Sequence, residues 1–114
     1  KKAVIAVCGP EGNPIAVHVM DGAFLVSFDV ALKKAYTSVA VKMSTMELSA
    51  LAQPGGTFYG VDKMDGGKIV IFGGGVPLKS GDTIIGGLGI SGGTGEEDHS
   101  LAEYGLSVLP EILG

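Results

Sequence analysis

Apolar and polar residues follow two different rhythms along this chain. Ala3 to Cys8 is a short β-rich run closed by Gly9-Pro10-Glu11-Gly12-Asn13, and Pro14 to Met20 resumes it, which predicts a hairpin. In the second strand Ile15, Val17 and Val19 share one face, read as the core face, while Ala16, His18 and Met20 share the other. After Asp21-Gly22 the rhythm changes. Phe24, Leu25, Phe28, Leu32, Ala35, Tyr36 and Val39 recur at spacings of three and four, with Asp29, Lys33 and Lys34 elsewhere, so a helix is predicted with those apolar residues as its buried stripe. Ser44-Thr45-Met46-Glu47 fits a capping box, in which hydroxyl and carboxylate each close a free backbone amide. It opens a second, short helix that ends before Gln53-Pro54-Gly55-Gly56.

The remainder is glycine-punctuated. Phe58 to Val61 reads as a short extended piece, and Lys68 to Phe72 as the clearest strand of the chain. Gly73-Gly74-Gly75 interrupts that strand and Val76 to Lys79 resumes it; Ser80-Gly81-Asp82 turns into a further strand, Thr83 to Ser91. Thr94-Gly95-Glu96-Glu97 is a second capping box, and the helix after it is predicted to run to about Leu109, where Pro110 stops it. Strands joined by tight turns pair antiparallel. The expected fold is therefore α+β: one antiparallel sheet of about five strands with helices packed on it, in a single domain over residues 1–114.

Composition adds a partner to this picture. Only 18% of residues are charged, against a usual ~25%. Mean hydropathy is +0.41, so a lone copy would leave much apolar surface in water and a homo-oligomer is expected. Eight basic residues against twelve acidic ones leave no footprint for nucleic acid. No apolar run approaches the ~18 residues of a spanning helix, so no membrane segment is expected. Cys8 is the one cysteine, which excludes an intrachain disulfide and favours a cytoplasmic setting.

Several patterns invite chemistry. Gly87-Leu88-Gly89-Ile90-Ser91-Gly92 has the spacing of a dinucleotide loop, but its glycines lie inside a strand and acidic residues open the next helix. They read instead as a place where a helix, a subunit or a flat ligand approaches the backbone closely. Gly89-Ile90-Ser91-Gly92-Gly93 matches the letters of a nucleophile elbow without its parallel-sheet setting. Glu96, Glu97, Asp98 and His99 are the densest group of hard ligands, yet successive helical residues diverge by about 100°. His18 is open to two readings: a solvated side chain, or an axial ligand to a flat metallocofactor with the Met20 thioether beside it. Cys8 lies in the same hairpin.

With these pieces assembled the chain resembles the GlcG/HbpS family of haem-degrading or haem-binding domains, which includes the carboxy-terminal domain of PduO-type cobalamin adenosyltransferases. The stretches that carry the likeness are Val4-Ile5-Ala6-Val7 with Gly12-Asn13, Met20-Asp21-Gly22-Ala23, Lys34-Ala35-Tyr36-Thr37, Gln53-Pro54-Gly55-Gly56, Gly67-Lys68-Ile69-Val70-Ile71-Phe72-Gly73-Gly74-Gly75-Val76-Pro77 and Gly89-Ile90-Ser91-Gly92-Gly93-Thr94. The resemblance implies a profilin-like α/β/α layering, assembly into homo-oligomers such as octamers, and haem or a related tetrapyrrole, a corrinoid included, as cofactor. It implies His18 as the metal ligand, with Met20 and the Gly73-Gly74-Gly75 bend lining a slot partly formed between subunits. Family members open with a helix before the first strand, which this sequence lacks. The implied role is an oligomeric cofactor-binding protein linked to glycolate, diol or glycerol catabolism. The alternatives are a haem-degrading or small-molecule enzyme, and an accessory subunit of a catabolic enzyme.

Overall fold

The computed structural model describes residues 2–113. Strands β1 (Val4–Cys8) and β2 (Pro14–Val19) form the expected hairpin, followed by helices α1 (Ser27–Val41) and α2 (Thr45–Leu51). After two single 3-10 turns come β3 (Gly75–Ser80), β4 (Thr83–Ser91) and α3 (Gly95–Leu113). The strands lie in the order β2-β1-β4-β3 with every neighbouring pair antiparallel. One face packs on α1 through Val4, Ala6 and Ala31; the other packs on α3 through Val76, Leu88, Ile90 and Ala102. The layering is α/β/α, profilin-like, as expected. Both capping boxes form, Ser44 with Glu47 and Thr94 with Glu97.

Among the described residues the sheet has four strands, not about five. Phe58 to Val61 is a run of turns, and Lys68 to Phe72, the clearest strand by pattern, pairs with nothing. A helix side chain has taken the hydrogen bonds that a ladder would have used. Thr37 Oγ1 donates to the Lys68 carbonyl at 3.2 Å and accepts from the Val70 amide at 3.0 Å. Next to it the Tyr36 hydroxyl donates to Asp65, and the Lys68 ammonium lies 5.2 Å over the Tyr36 ring. The segment is thus strapped along α1. Pro110 lies inside α3 and does not end it. Its ring already has a helical φ, and the one bond it removes, to the Leu106 carbonyl, falls in the last turns.

The buried stripe of α1 also differs from the predicted one. Its buried residues are Ser27, Ala31, Lys34, Ala35, Thr37 and Ser38, while Phe24 (70% exposed), Leu25 (95%) and Phe28 (49%) point outward. The cause lies on β4. A Cβ added at Gly89 would stand 2.0 Å from the Ala31 carbonyl oxygen, and one at Gly87 2.4 Å from that of Ala35. The helix therefore rests directly on the strand backbone, which only small residues on both sides permit. Of the close approaches open to these glycines, a helix is the one realised.

Candidate functional site

The β2 register decides where His18 points. His18 lies opposite Ile5, and the Met20 amide donates to the Ala3 carbonyl, so both side chains share the α3 side of the sheet with Ala3 and Ile5. Helix α3 packs against β3 and β4 and leaves the β1–β2 half of this face uncovered. His18 is exposed at that open edge, and Met20 is half-buried. Beside them runs a groove of about 410 Å³ lined by Ala3, Ile5, Met20, Leu88, Ile90, Leu101, Tyr104 and Gly105. Apart from the tyrosine hydroxyl its side chains are apolar. The face named as core for β2 is the inner one, but only Val17 packs there; Ile15 and Val19 remain exposed at the edge.

The triple glycine lies elsewhere. Strands β2 and β3 are the two edges of the sheet, about 14 Å apart at three strand spacings. One chain therefore does not bring Gly73, Gly74 and Gly75 to the same ligand as His18 and Met20. Added Cβ atoms there would meet the Gly95 carbonyl (2.5 Å), the Ile90 carbonyl (2.4 Å) and the Lys34 carbonyl (2.4 Å) respectively. Close packing of the chain on itself requires these glycines. Cys8 shares the buried α1 side with Val4 and Ala6, the face opposite to His18, and burial pushes its thiol pKa up.

Around Gly73 the α1 side opens into a second cavity of about 480 Å³. Phe24, Val26, Val30, Met46 and Phe72 form its apolar wall; Ser27, Ser91, Lys34, Asp98 and the backbone of residues 92–95 form a polar floor. Lys34 and Asp98 are a buried ion pair. The Lys34 ammonium donates to Asp98 Oδ2 at 3.0 Å and to the Ile90 carbonyl at 2.8 Å. Asp98 in turn accepts from the amides of Gly92 (3.3 Å) and Gly93 (2.9 Å), fixing the turn that starts α3. Burial pulls the Lys34 pKa down, opposed by the hydrogen bond and charge of Asp98.

The remaining sequence candidates separate. Asp98 is turned inward to Lys34 and Glu97 back to Thr94, so Glu96 to His99 do not converge. Among the described residues no group of three or more His, Cys, Asp or Glu could hold a metal ion. The Ser91 hydroxyl donates to Ser27 Oγ at 3.3 Å and not to a histidine.

Residues 1–107 match the family model described as haem-degrading protein HbpS-like. The chain belongs to the HbpS-like family. It is 40% identical over 109 residues to an uncharacterized 15.0 kDa protein of the dhaT-dhaS intergenic region of Citrobacter freundii, a match covering 96% of this chain and 77% of that one. It is 42% identical over 106 residues to the corrinoid adenosyltransferase PduO of Salmonella typhimurium, covering 93% of this chain but only 32% of PduO. Among solved structures, the PduOC:heme complex superposes with a TM-score of 0.88 at 42% identity, over 93% of this chain and 77% of that one. No helix among the described residues of this HbpS-like chain is long and apolar enough to cross a membrane.

Sequence reasoning missed the Lys34–Asp98 pair: it placed Lys34 off the buried stripe and read Asp98 only with its helix neighbours as a hard ligand. A signal was present. Ser27, Ala31, Lys34, Ala35 and Ser38 form one stripe of small residues interrupted by a single lysine, matched to a strand rich in glycine.

Proposed function

We propose that this HbpS-like chain binds haem on the open half of the α3 face, with His18 as the iron ligand and Met20 and the groove as apolar cover. The observation that carries the reading is the exposed imidazole on the sheet face that bears the apolar groove, opposite Ile5 and two residues before Met20, which both line it. The residues suit the group: a planar macrocycle needs hydrocarbon beneath it and a nitrogen donor for its iron, and Ile5, Met20, Leu88 and Leu101 supply the first while His18 supplies the second. Bound haem would supply a redox-active iron; the chain's own part is to hold the ring and exclude water from one side of it. Support also comes from the relative solved as a haem complex at 42% identity. A corrinoid is the competing ligand, since PduO relatives are named for corrinoid chemistry, of which this chain spans about a third. The outward Phe24, Leu25 and Phe28 support self-association, and the lone buried Cys8 a cytoplasmic setting. A role in small-molecule catabolism completes the proposal.

The test is an absorption titration of hemin into wild type, His18→Ala and His99→Ala, with cobalamin titrated in parallel. Wild type and His99→Ala are expected to shift the Soret band and His18→Ala to leave it unshifted. Identical spectra for wild type and His18→Ala would remove His18 from the site. The family model's description favours one further reading, haem degradation. The same preparation incubated with ascorbate then loses its Soret band if the chain supports turnover.

A further inference from the structure

The cavity beside Gly73 takes no part in haem binding as proposed, yet its floor carries more hydrogen-bond donors than the acceptors around it use. The Lys34 ammonium has three N–H groups and two protein partners, the Ile90 carbonyl and Asp98; the third has none among the described residues. Lys34 is 2% exposed and lines the cavity. Ser27 and Ser91, both buried there, share one hydrogen bond between two hydroxyls, which leaves one O–H to donate. At the start of α3 the amides of Glu97 and Asp98 are taken by Thr94, leaving those of Gly95 and Glu96 without intrahelical partners.

The electrostatics select the ligand. Lys34 and two glycine amides already satisfy the Asp98 carboxylate, so the floor is close to neutral. The amino end of the 19-residue α3 adds about half a positive charge. The spare N–H and O–H donors call for paired acceptor oxygens; Glu96 on the same wall opposes every anion, a phosphate dianion more strongly than a monocarboxylate. The mouth is apolar, with Phe24, Val26 and Phe72 all largely exposed. We propose that this cavity binds a small monocarboxylate with a short hydrocarbon tail, its oxygens on Lys34 Nζ and the Ser27–Ser91 hydroxyls and its tail against Phe24, Val26 and Phe72. Three stretches that carry the family likeness meet at this cavity, those containing Lys34, Gly73 and Ser91 to Thr94.

The experiment is an amide NMR titration of the haem-free protein with butyrate, with butyramide as the uncharged isostere. Its outcome is independent of the haem reading. Saturable butyrate shifts are expected at Ser91, Gly92, Gly93 and Gly95, with butyramide binding weaker by about tenfold or more. The double variant Lys34→Met/Asp98→Asn, which removes both charges together, is expected to lose a similar factor. If that variant does not fold, Ser27→Ala/Ser91→Ala replaces it, with a loss of about threefold or more. Absence of saturable shifts at these amides overturns the proposal. So does an equal response to butyramide, or undiminished binding by the folded variant.

Discussion

Gly89→Ala tests the seating of α1 on the sheet, on which the placement of the cavity beside Gly73 depends. The added methyl would stand 2.0 Å from the Ala31 carbonyl oxygen and 2.6 Å from the Ala35 amide nitrogen, where ordinary contact begins at 3.4 Å. Both obstacles are helix backbone and have no rotamer in which to yield. The helix must recede by more than an ångström, loosening the cluster of Val4, Ala6 and Ala31. Overpacking of this kind costs ~1–3 kcal/mol, and a backbone obstacle puts it at ~3 kcal/mol or above. Against a total stability of ~5–15 kcal/mol, the expected fall in Tm is about 12 °C or more. Gly55→Ala is the comparison: its φ is +88° but nothing lies within 4 Å, so only left-handed backbone strain of ~1 kcal/mol applies. Urea and thermal unfolding followed by circular dichroism measure both. If Gly89→Ala unfolds within about 1 kcal/mol of wild type, like Gly55→Ala, the glycines of β4 are not there to admit α1. That face would then again be open to a flat ligand.

The buried ion pair predicts strong coupling. Lys34→Met or Asp98→Asn alone is expected to destabilise by ~3–5 kcal/mol, because each leaves a buried partner uncompensated, while the double variant recovers most of that loss. Additive single-variant losses in urea unfolding would refute the pairing. Cys8 predicts a pH effect. Its thiol pKa is raised above the ordinary 9.0 by burial, so as pH climbs past that value the unfolded chain releases the proton first and stability falls. Between about pH 8 and 10 wild type should lose more of its urea midpoint than Cys8→Ala, and equal losses would show that the thiol is not held protonated by the fold.

What could be read from the chain before folding was whatever local chemistry controls. The β1–β2 hairpin, both capping boxes and the glycine turn at residues 80–82 appear where turn and cap residues put them. His18 and Met20 share a face, as period two requires, and the β1 register places Cys8 on the other side of the sheet. The failures are tertiary. Lys68 to Phe72 has strand composition, but Thr37 on α1 supplies its hydrogen bonds before any strand can. The large apolar residues near the start of α1 gave the wrong buried stripe because backbone contact with Gly87 and Gly89 favours small residues over oily ones. Lys34 escaped notice for the same reason. Its burial is stabilised by Asp98, 64 residues away, a partnership that no local window contains.

These errors bear on function because they decide which surface a planar ligand can use. The glycines of β4 admit a close approach to the backbone, but on their side α1 already occupies it. On the opposite side α3 covers β3 and β4 and stops there. The β1–β2 half therefore keeps a stretch of sheet with no helix over it, floored by Ile5 and Val7, by Ala16 and His18 on β2, and by Met20 just past its end. Ala16 is small enough to keep that floor shallow, and His18 is the one nitrogen donor on it, beside the softer thioether of Met20. An apolar surface this open is costly in water unless something lies on it. A ring that needs hydrocarbon beneath its edge and a nitrogen at its centre meets both requirements within three residues of one strand, and it is the shape of the uncovered face, as much as the histidine, that argues for it.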